Sequence, residues 1–290
     1  MMEKPVIGYT LGDQAGVGPE LIRRTLPHLP QQARFVCMGK ELACTPGRPT
    51  EDTAKMALEH LECAALALRE GKIDAVVTAP VCKEGLQSIG FPYPGQTEFF
   101  AERMGVEKYA MCLTGERLTV ALCTTHIALE DVPNALSEEQ FVMVTELLCR
   151  FLQQQGIARP RIALAGLNPH NGEAGAFGSQ EQTLISPAVE KLQMRLPQAQ
   201  ICGPCVPDCV YREAAMGRFD GVVSPYHDQA LIPIKLLDFA TAVNATLGLP
   251  RLRVSPDHGT AFDIAGKGIA DASSMRHAFL LALRSVNTAD

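Results

Sequence analysis

Three histidines each follow a short apolar run that is typical of a buried β-strand. The runs and their histidines are 118–123 with His126, 161–165 with His170, and 221–223 with His227. The carboxyl ends of parallel strands lie along one edge of an open α/β sheet, where such proteins bind ligands. Neutral imidazoles that converge there can hold a first-row divalent metal ion and leave a position open for substrate. The spacing therefore indicates a three-histidine metal site, with isolated structural or surface histidines as the alternative.

Two further polar residues stand where they can support such a site. Asp228 directly follows His227, and its carboxylate can bind the metal, orient an imidazole or cap the next helix. His258 lies in a polar loop closed by Gly259. It either contacts a cofactor or stands at the N-terminus of a helix.

Two segments are candidates for binding an anion. The glycine-rich segment 12–20 follows the first predicted strand and opens a helix, so its N–H groups can hold an anion. The alternative is a tight turn in which Asp13 contacts substrate or backbone. Lys235 and Arg253, with Asn244 between them in sequence, can bind phosphate or carboxylate, or can be ordinary surface residues. The sequence has no G-x-G-x-x-G motif, which disfavours a Rossmann dinucleotide site.

The elements that must position these residues alternate between strands and helices. Strands are predicted at 5–9, 34–38, 72–78, 118–123, 161–165 and 221–223, and helices at 18–26, 50–69, 97–104, 137–154 and 186–196. Ser137 and Ser186 are predicted to cap the last two helices. This alternation indicates an α/β fold with a largely parallel sheet.

The composition excludes several classes of protein. The chain has 290 residues, 47% of them hydrophobic and 20% charged, with a net charge of −6 and no basic cluster, so we expect no nucleic-acid partner. Neither a membrane-length apolar segment nor a signal peptide is recognisable, and we expect a cytoplasmic protein with no membrane contact.

The ten cysteines are expected to be reduced thiols. Cys202, Cys205 and Cys209 lack a fourth ligand for zinc, and His28, His60 and His277 are expected at the surface.

In order along the chain, the motifs resemble the 4-hydroxythreonine-4-phosphate dehydrogenase family of vitamin B6 biosynthesis. They are GDQAGVGPE at 12–20, GRPTEDTAKMALEHLECAA at 47–65, DAVVTAPVCKEGL at 74–86, GQTEF at 95–99, TTH at 124–126, GLNPHNGEAGAFG at 166–178, YHDQALIPIK at 226–235, VNATLGLPRLRVSPDHGTAFDIAGKG at 243–268 and ADASSM at 270–275. Single segments are weak signals, whereas their order and spacing together are specific.

The resemblance implies a two-domain α/β fold similar to isocitrate and isopropylmalate dehydrogenases, with a cleft between the domains. We place the first domain at 1–98 together with 258–290 and the second, inserted domain at 99–257. It also implies a homodimer with shared active sites, NAD or NADP, and one divalent metal, which is Zn, Mg, Mn or Co. The implied site residues are metal ligands His126, His170 and His227, one of them from the partner subunit; substrate-binding Gln96, Thr97, Lys235, Asn244 and Arg253; cofactor-binding Asn168, His258 and Gly259; and catalytic Asp228 and Lys83.

The implied reaction is oxidation of the secondary alcohol of 4-phosphohydroxy-L-threonine and decarboxylation to 3-amino-2-oxopropyl phosphate. The alternatives are a related dehydrogenase for phosphorylated threonate or erythronate or a cis-dihydrodiol carboxylate, a non-catalytic relative, and a metal-dependent hydrolase or aldolase. The chain departs from the family pattern at Gln96, where the family usually has His, and at Cys82, where Asn or His is commoner. It is also shorter than usual, and the difference falls between Gly39 and Gly47.

Overall fold

The computed structural model describes residues 4–287 and has an α/β architecture. Its strands are β1 Val6–Thr10, β2 Arg34–Cys37, β3 Ala75–Thr78, β4 Ala110–Thr114, β5 Thr119–Leu122, β6 Arg161–Ala165, β7 Gln200–Cys205, β8 Gly221–Ser224, β9 Val243–Leu247 and β10 Leu252–Pro256. Its α-helices are α1 Gly18–Thr25, α2 Glu51–Arg69, α3 Lys83–Ser88, α4 Gln96–Arg103, α5 Val132–Ala135, α6 Glu138–Gln154, α7 Ser186–Arg195, α8 Pro207–Ala215, α9 His227–Asp238 and α10 Ser273–Asn287. No helix among the described residues is both long and apolar enough to cross a membrane.

The chain divides into two compact units. The first contains the residues up to Glu107 and those from Val243 onward, and the second is Lys108–Ala242. The hairpin of β9 and β10 thus belongs to the first unit, although the sequence assigned it to the inserted domain. The predicted domains, with boundaries at 98/99 and 257/258, stay a prediction.

The first unit has five strands in the order β2-β1-β3-β10-β9. The pairs among β2, β1, β3 and β10 are parallel, and only β9 runs antiparallel to its neighbour β10. The core between this sheet and α2 is apolar, with Leu61, Leu68 and Phe99 fully buried. Thr50 caps α2 in a reciprocal pair with Thr53, which fixes the start of that helix.

The second unit has five strands in the order β4-β5-β8-β6-β7. The β5–β8, β6–β8 and β6–β7 pairs are parallel, so the chain leaves β5, β6 and β8 at the same edge. Buried Val120, Ala163 and Val222 form the centre of the apolar core. The sheet therefore gathers the segments after three strands at one edge, which is the edge that the sequence predicted.

Most predicted elements are confirmed, and the differences have local causes. Ser137 caps α6 by accepting a hydrogen bond from Gln140 N at 3.2 Å. Ser186 does not cap α7, because the chain before it is already helical. A π-helical turn, Glu181–Ile185, leads directly into α7. The structure also adds β4, β7, β9 and β10, which the sequence did not predict.

His60 is a correction, because it was expected at the surface and is completely buried in α2. Its Nδ1 accepts a hydrogen bond from Leu11 N at 3.5 Å, and its Nε2 lies 2.9 Å from Lys40 O, to which it donates. The two loops around Leu11 and Lys40 cover the imidazole, and burial lowers its pKa below the ordinary value. His60 is therefore a neutral structural residue that joins both loops to α2.

Candidate active site

Two of the three predicted metal ligands lie side by side in the second unit. His126 follows β5, and His227 is the first residue of α9 directly after β8. Their ring centroids are 5.5 Å apart, and the ring planes are inclined by 45°. A metal–nitrogen distance of about 2.0–2.1 Å gives two imidazoles on one cation ring centres roughly 5 Å apart. The pair thus fits two ligands of a shared divalent metal ion.

Asp228 orients the imidazole of His227. Its Oδ1 lies 2.7 Å from His227 Nδ1, while the Asp228 side chain remains 73% exposed. An ionised carboxylate can only accept, so Nδ1 carries the hydrogen and Nε2 keeps the lone pair that binds a metal. Of the three roles considered for Asp228, this contact matches the orienting one.

His170 stands apart from the other two histidines in its local structure. It is exposed in the turn Pro169–Gly175 that follows β6, and its backbone is left-handed with φ of 51°. Asn171, Glu173 and Ala174 are left-handed as well, an arrangement that non-glycine residues rarely adopt. Within residues 4–287, no three His, Cys, Asp or Glu side chains are grouped to hold a metal ion. The chain by itself thus brings together two of the three predicted ligands.

A buried carboxylate fixes the segment that leads to His170. Glu181 Oε1 accepts hydrogen bonds from Leu167 N at 2.8 Å and Asn168 N at 2.7 Å, and Oε2 accepts from Asn168 Nδ2 at 3.0 Å. The second hydrogen of the Asn168 amide goes to Gln180 Oε1 at 2.8 Å. Asn168, predicted to bind the cofactor, thus uses its side-chain donors inside the loop. No local sequence pattern distinguishes Glu181 from an ordinary helical Glu.

A second network ties together the ends of β6 and β8. Gln229 donates from Nε2 to Gly166 O at 2.9 Å and accepts from Tyr211 Oη at 2.8 Å. Tyr211 Oη also lies 2.7 Å from Ser224 Oγ, the last residue of β8. Neither Gln229 nor Tyr211 was predicted from the sequence, although Gln229 directly follows Asp228. These bonds connect the start of α9, which carries His227, to the segment after β6 that leads to His170.

A cavity of about 940 Å³ opens beside these residues in the second unit. His170, Asp228 and Gln229 give it a polar side, and Arg117 and Arg212 also line it. The remaining wall is mostly apolar, and Ile232, Leu236 and Met216 in it are 61%, 79% and 71% exposed, respectively.

In the first unit, Arg253 is a buried cation on neutral partners. It lies on β10, is 3% exposed, and donates to Thr78 Oγ1 at 2.7 Å and to Gln96 Oε1 at 2.9 Å. Burial lowers its pKa to about 9, although the Glu98 carboxylate acts in the opposite direction. The guanidinium therefore stays charged at neutral pH, and an anionic ligand would compensate that charge.

Three more predicted substrate-binding residues lie around Arg253. Gln96 begins α4, and because its Oε1 accepts from Arg253, its Nε2 is left to donate elsewhere. Thr97 Oγ1 lies 3.3 Å from Thr246 Oγ1, and the Thr246 hydroxyl in turn lies 3.5 Å from Arg253 Nη1. Asn244 is on β9, with a buried Oδ1 that has no hydrogen-bond partner in the described part of the chain.

The remaining predicted residues lie at scattered positions in the two units. Lys83 is exposed at the start of α3, and Lys235 is exposed on α9. His258 follows β10, and its Nδ1 bonds Gly259 O at 2.9 Å. Its Nε2 is buried without a hydrogen-bond partner among residues 4–287, which suits contact with a bound ligand.

The glycine-rich segment 12–20 forms a tight turn. Gly12 has φ of +67°, and a Cβ there would lie 2.1 Å from Pro80 O, so only glycine fits. Asp13 is buried, its Oδ1 accepts from Ala15 N at 3.1 Å, and burial raises its pKa. These contacts match the structural interpretation of Asp13, and anion binding by this segment stays a prediction.

Comparison with known proteins agrees with the motifs. The family described as "Pyridoxal phosphate biosynthetic protein PdxA" matches residues 20–282. The 4-hydroxythreonine-4-phosphate dehydrogenase of Desulfosudis oleivorans is 39% identical over 327 aligned residues, covering 98% of this chain and 96% of that protein. The chain belongs to the 4-hydroxythreonine-4-phosphate dehydrogenase family. Its relatives are named dehydrogenases, so the chain is an oxidoreductase.

Solved structures support both the family and the wider fold. A crystal structure of 4-hydroxythreonine-4-phosphate dehydrogenase from Klebsiella pneumoniae has a TM-score of 0.81 and 35% identity, covering 97% of this chain and 99% of that one. A terephthalate 1,2-cis-dihydrodiol dehydrogenase from Burkholderia xenovorans has a TM-score of 0.70 and 26% identity, covering 96% and 98%. Isocitrate dehydrogenase from Methylococcus capsulatus, at 16% identity with coverage of 98% and 86%, has a TM-score of 0.56. The predicted isocitrate dehydrogenase-like α/β fold is thus confirmed.

Proposed function

We propose that this member of the family oxidises the secondary alcohol of 4-phosphohydroxy-L-threonine with NAD or NADP. The resulting β-keto acid then loses CO2 to give 3-amino-2-oxopropyl phosphate. The observation that carries the proposal is the pair His126 and His227 at the strand edge, 5.5 Å apart, with Asp228 on Nδ1 of the second ring. Family membership supplies the substrate class, and the pair supports metal-dependent chemistry on an alcohol.

His126, His227 and a third imidazole, His170, would hold the divalent metal. When bound, such an ion lowers the pKa of the substrate hydroxyl and so favours its loss of a proton. Imidazole ligands suit a transition metal such as Zn better than they suit Mg. The chain's own contribution is to keep His227 in the tautomer whose Nε2 is available, through the 2.7 Å contact with Asp228.

The first unit supplies binding groups for the anionic substrate. Arg253 offers a charged donor in a dry environment, where its hydrogen bonds are strong. Gln96 holds that guanidinium through Oε1, while Thr97 and Asn244 add a hydroxyl and an amide. We propose that Lys235 of the second unit also binds an anionic group. Bound NAD or NADP supplies the hydride acceptor, with Asn168, His258 and Gly259 proposed beside it.

The hydroxyl proton has three candidate acceptors: Asp228, Lys83 and water. Both side chains are exposed. Asp228 contacts the proposed metal ligand His227, whereas Lys83 lies at the start of α3 in the other unit. We expect Asp228→Asn to lower kcat and to weaken metal binding together, since a carboxamide can donate to Nδ1 as well as accept from it and so no longer fixes the tautomer of His227. Lys83→Met should lower kcat with metal binding unchanged. Loss of metal from the Lys83→Met variant would contradict this assignment.

We further propose a homodimer in which a second copy of the chain supplies His170. Two observations support it: His170 is absent from any three-ligand cluster in the described residues, and it lines a cavity with exposed apolar side chains. Apolar surface of this kind is typical of subunit interfaces.

The central experiment is a substrate panel monitored through the absorbance of the reduced nicotinamide. It compares 4-phosphohydroxythreonine with phosphothreonate, phosphoerythronate and a cis-dihydrodiol dicarboxylate, each with NAD and with NADP. Turnover should vanish after treatment with a chelator and return when Zn, Mn, Co or Mg is added. His170→Ala should lose metal retention and turnover together. Full turnover in a metal-stripped sample would reject the mechanism, and no reduction with any substrate would favour a non-catalytic or hydrolytic relative.

Gln96 favours a second candidate, a related dehydrogenase for another hydroxy acid. A carboxamide cannot ionise, whereas the His that the family usually has at this position can. The similarity to a terephthalate 1,2-cis-dihydrodiol dehydrogenase shows that relatives of this fold have other named substrates. If 4-phosphohydroxythreonine is the substrate, Gln96→His should retain turnover and add an ionisation near neutral pH to the kcat/KM profile. A preference of the unmodified chain for the threonate, erythronate or dihydrodiol would establish the alternative.

A further inference from the structure

Two cysteines on β7 have their sulfur atoms in contact. Cys202 Sγ lies 3.7 Å from Cys205 Sγ, within the segment Cys-Gly-Pro-Cys. Cys202 is exposed and Cys205 is half-buried. β7 is the last strand in the order of the second unit, so one of its edges pairs with no other strand of that unit.

An irregularity in the strand pairing places both sulfur atoms on one face. In a regular strand, residues three apart point to opposite faces. Here Cys202 pairs with Ala163 and Cys205 pairs with Ala165, so β7 advances three residues while β6 advances two. The extra residue in β7 is a bulge, and it turns the two cysteine side chains to the same side.

We propose that Cys202 and Cys205 form a reversible intramolecular disulfide, a redox modification site outside the residues proposed for metal and substrate. The oxidant is a low-molecular-weight disulfide such as oxidised glutathione. The Cys202 thiolate attacks one of its sulfurs, forms a mixed disulfide and releases one glutathione thiolate. The Cys205 thiolate then attacks the Cys202 sulfur and releases the second. The protein loses two protons and two electrons, and the oxidant becomes two thiols.

The surroundings of the thiols favour this order of attack. Cys202 is exposed, whereas burial raises the pKa of Cys205 to about 12, with a further contribution from Cys202. The mixed disulfide removes the negative charge from Cys202, so Cys205 ionises more readily in the second step. Burial also raises the pKa of Cys112 and of Cys123 and shields them from the oxidant.

The pair is linked directly to the loop that carries His170. Pro204 O accepts a hydrogen bond from Asn171 Nδ2 at 2.8 Å, and Cys205 O accepts from Gly166 N at 2.8 Å. An S–S bond of about 2.05 Å draws the two sulfurs much closer than they are now and shifts these carbonyl groups. Oxidation therefore loosens the turn around His170. The disulfide does not depend on the proposed function, whereas any effect on turnover does.

Mass spectrometry tests the disulfide directly. The purified chain is incubated with oxidised glutathione, its free thiols are alkylated, and it is digested with trypsin without reductant. Cleavage after Arg195 and Arg212 releases peptide 196–212, which holds Cys202, Cys205 and Cys209. The peptide from the oxidised chain should be two hydrogen atoms lighter than the same peptide after reduction with dithiothreitol.

Variants identify the partners in that bond. Cys209→Ser should still form the disulfide, and Cys205→Ser should stop at a glutathione adduct on Cys202. The exposed Cys63 is the internal control. We expect it to form only a mixed disulfide with glutathione. A glutathione adduct that persists on Cys202 in the unmodified chain, or loss of the disulfide in Cys209→Ser, would overturn the proposal.

Amide hydrogen exchange tests the link to the loop. Losing one hydrogen bond of ordinary strength should speed exchange within 166–175 by about fivefold in the oxidised protein. Cys202→Ser treated in the same way should show no change. Unchanged exchange in a fully oxidised sample would refute the link. Both readouts need no substrate, so they remain valid if the proposed dehydrogenase reaction fails its own test.

Discussion

Arg253 keeps a guanidinium inside the first unit on the hydroxyl of Thr78 and the carboxamide of Gln96. Its burial is costly for folding and useful for binding an anion. We predict that Arg253→Met weakens substrate binding by about 2 kcal/mol, roughly 30-fold, because a charged hydrogen bond is lost. The free energy of unfolding should not fall, which chemical denaturation would measure beside the kinetics. Arg251→Met, which removes a half-exposed guanidinium bonded to Leu68 O, is the control and should leave kcat/KM unchanged.

His60 makes the stability of the first unit depend on pH. Burial lowers its pKa in the folded state, so the unfolded chain binds a proton that the folded chain does not as the pH falls below about 6.5. The free energy of unfolding should therefore decrease from that pH downward. His60→Gln can accept from Leu11 and donate to Lys40 without ionising, and it should reduce this decrease. Denaturant titrations of both proteins at pH 7.5 and 5.5 test it; equal slopes with pH would contradict the role of His60.

The turn after β6 depends on one buried carboxylate. Glu181 holds Leu167 and Asn168, the residues that lead to His170, with three hydrogen bonds. Glu181→Gln replaces an acceptor oxygen with an NH2 group, and we predict a loss of about 2 kcal/mol of unfolding free energy. Metal affinity should fall about 10- to 100-fold, as for other residues that orient ligands. The exposed Glu190 on α7 provides the control variant Glu190→Gln, and equal metal titrations for the two variants would refute the prediction.

The strands and helices also show which structural signals are local. Apolar runs such as 161–165 identified β6 correctly, and Ser137 marked the start of α6, because burial and capping are encoded within a few residues. β7 was missed because Cys-Gly-Pro-Cys lacks β-branched and aromatic residues.

The candidate site divides in the same way between local and long-range signals. Strand ends indicated the histidines, and a motif indicated Arg253. The contacts of Glu181 and the burial of His60 join segments distant in sequence, and no local pattern encodes them.

The proposed homodimer has a consequence for dimers that contain two different variants. If His170 acts in the partner's site, a heterodimer of His126→Ala and His170→Ala subunits has one site with both changes and one with neither. Refolding the two inactive variants together should thus restore about a quarter of the original activity, since half of the dimers are mixed. Sedimentation or light scattering would establish the dimer, and each variant refolded alone is the control. No recovery in the mixture would show that each chain supplies its own His170.

The division of the chain between the two units affects the order in which they can form during translation. Lys108–Ala242 is continuous, so its five strands are all synthesised before β9 and β10. The first unit has β1, β2 and β3 early, but β10, which pairs with β3, arrives some 170 residues later. Until β10 is synthesised, β3 in the nascent chain therefore has an unpaired edge, which is the kind of surface that chaperones shield.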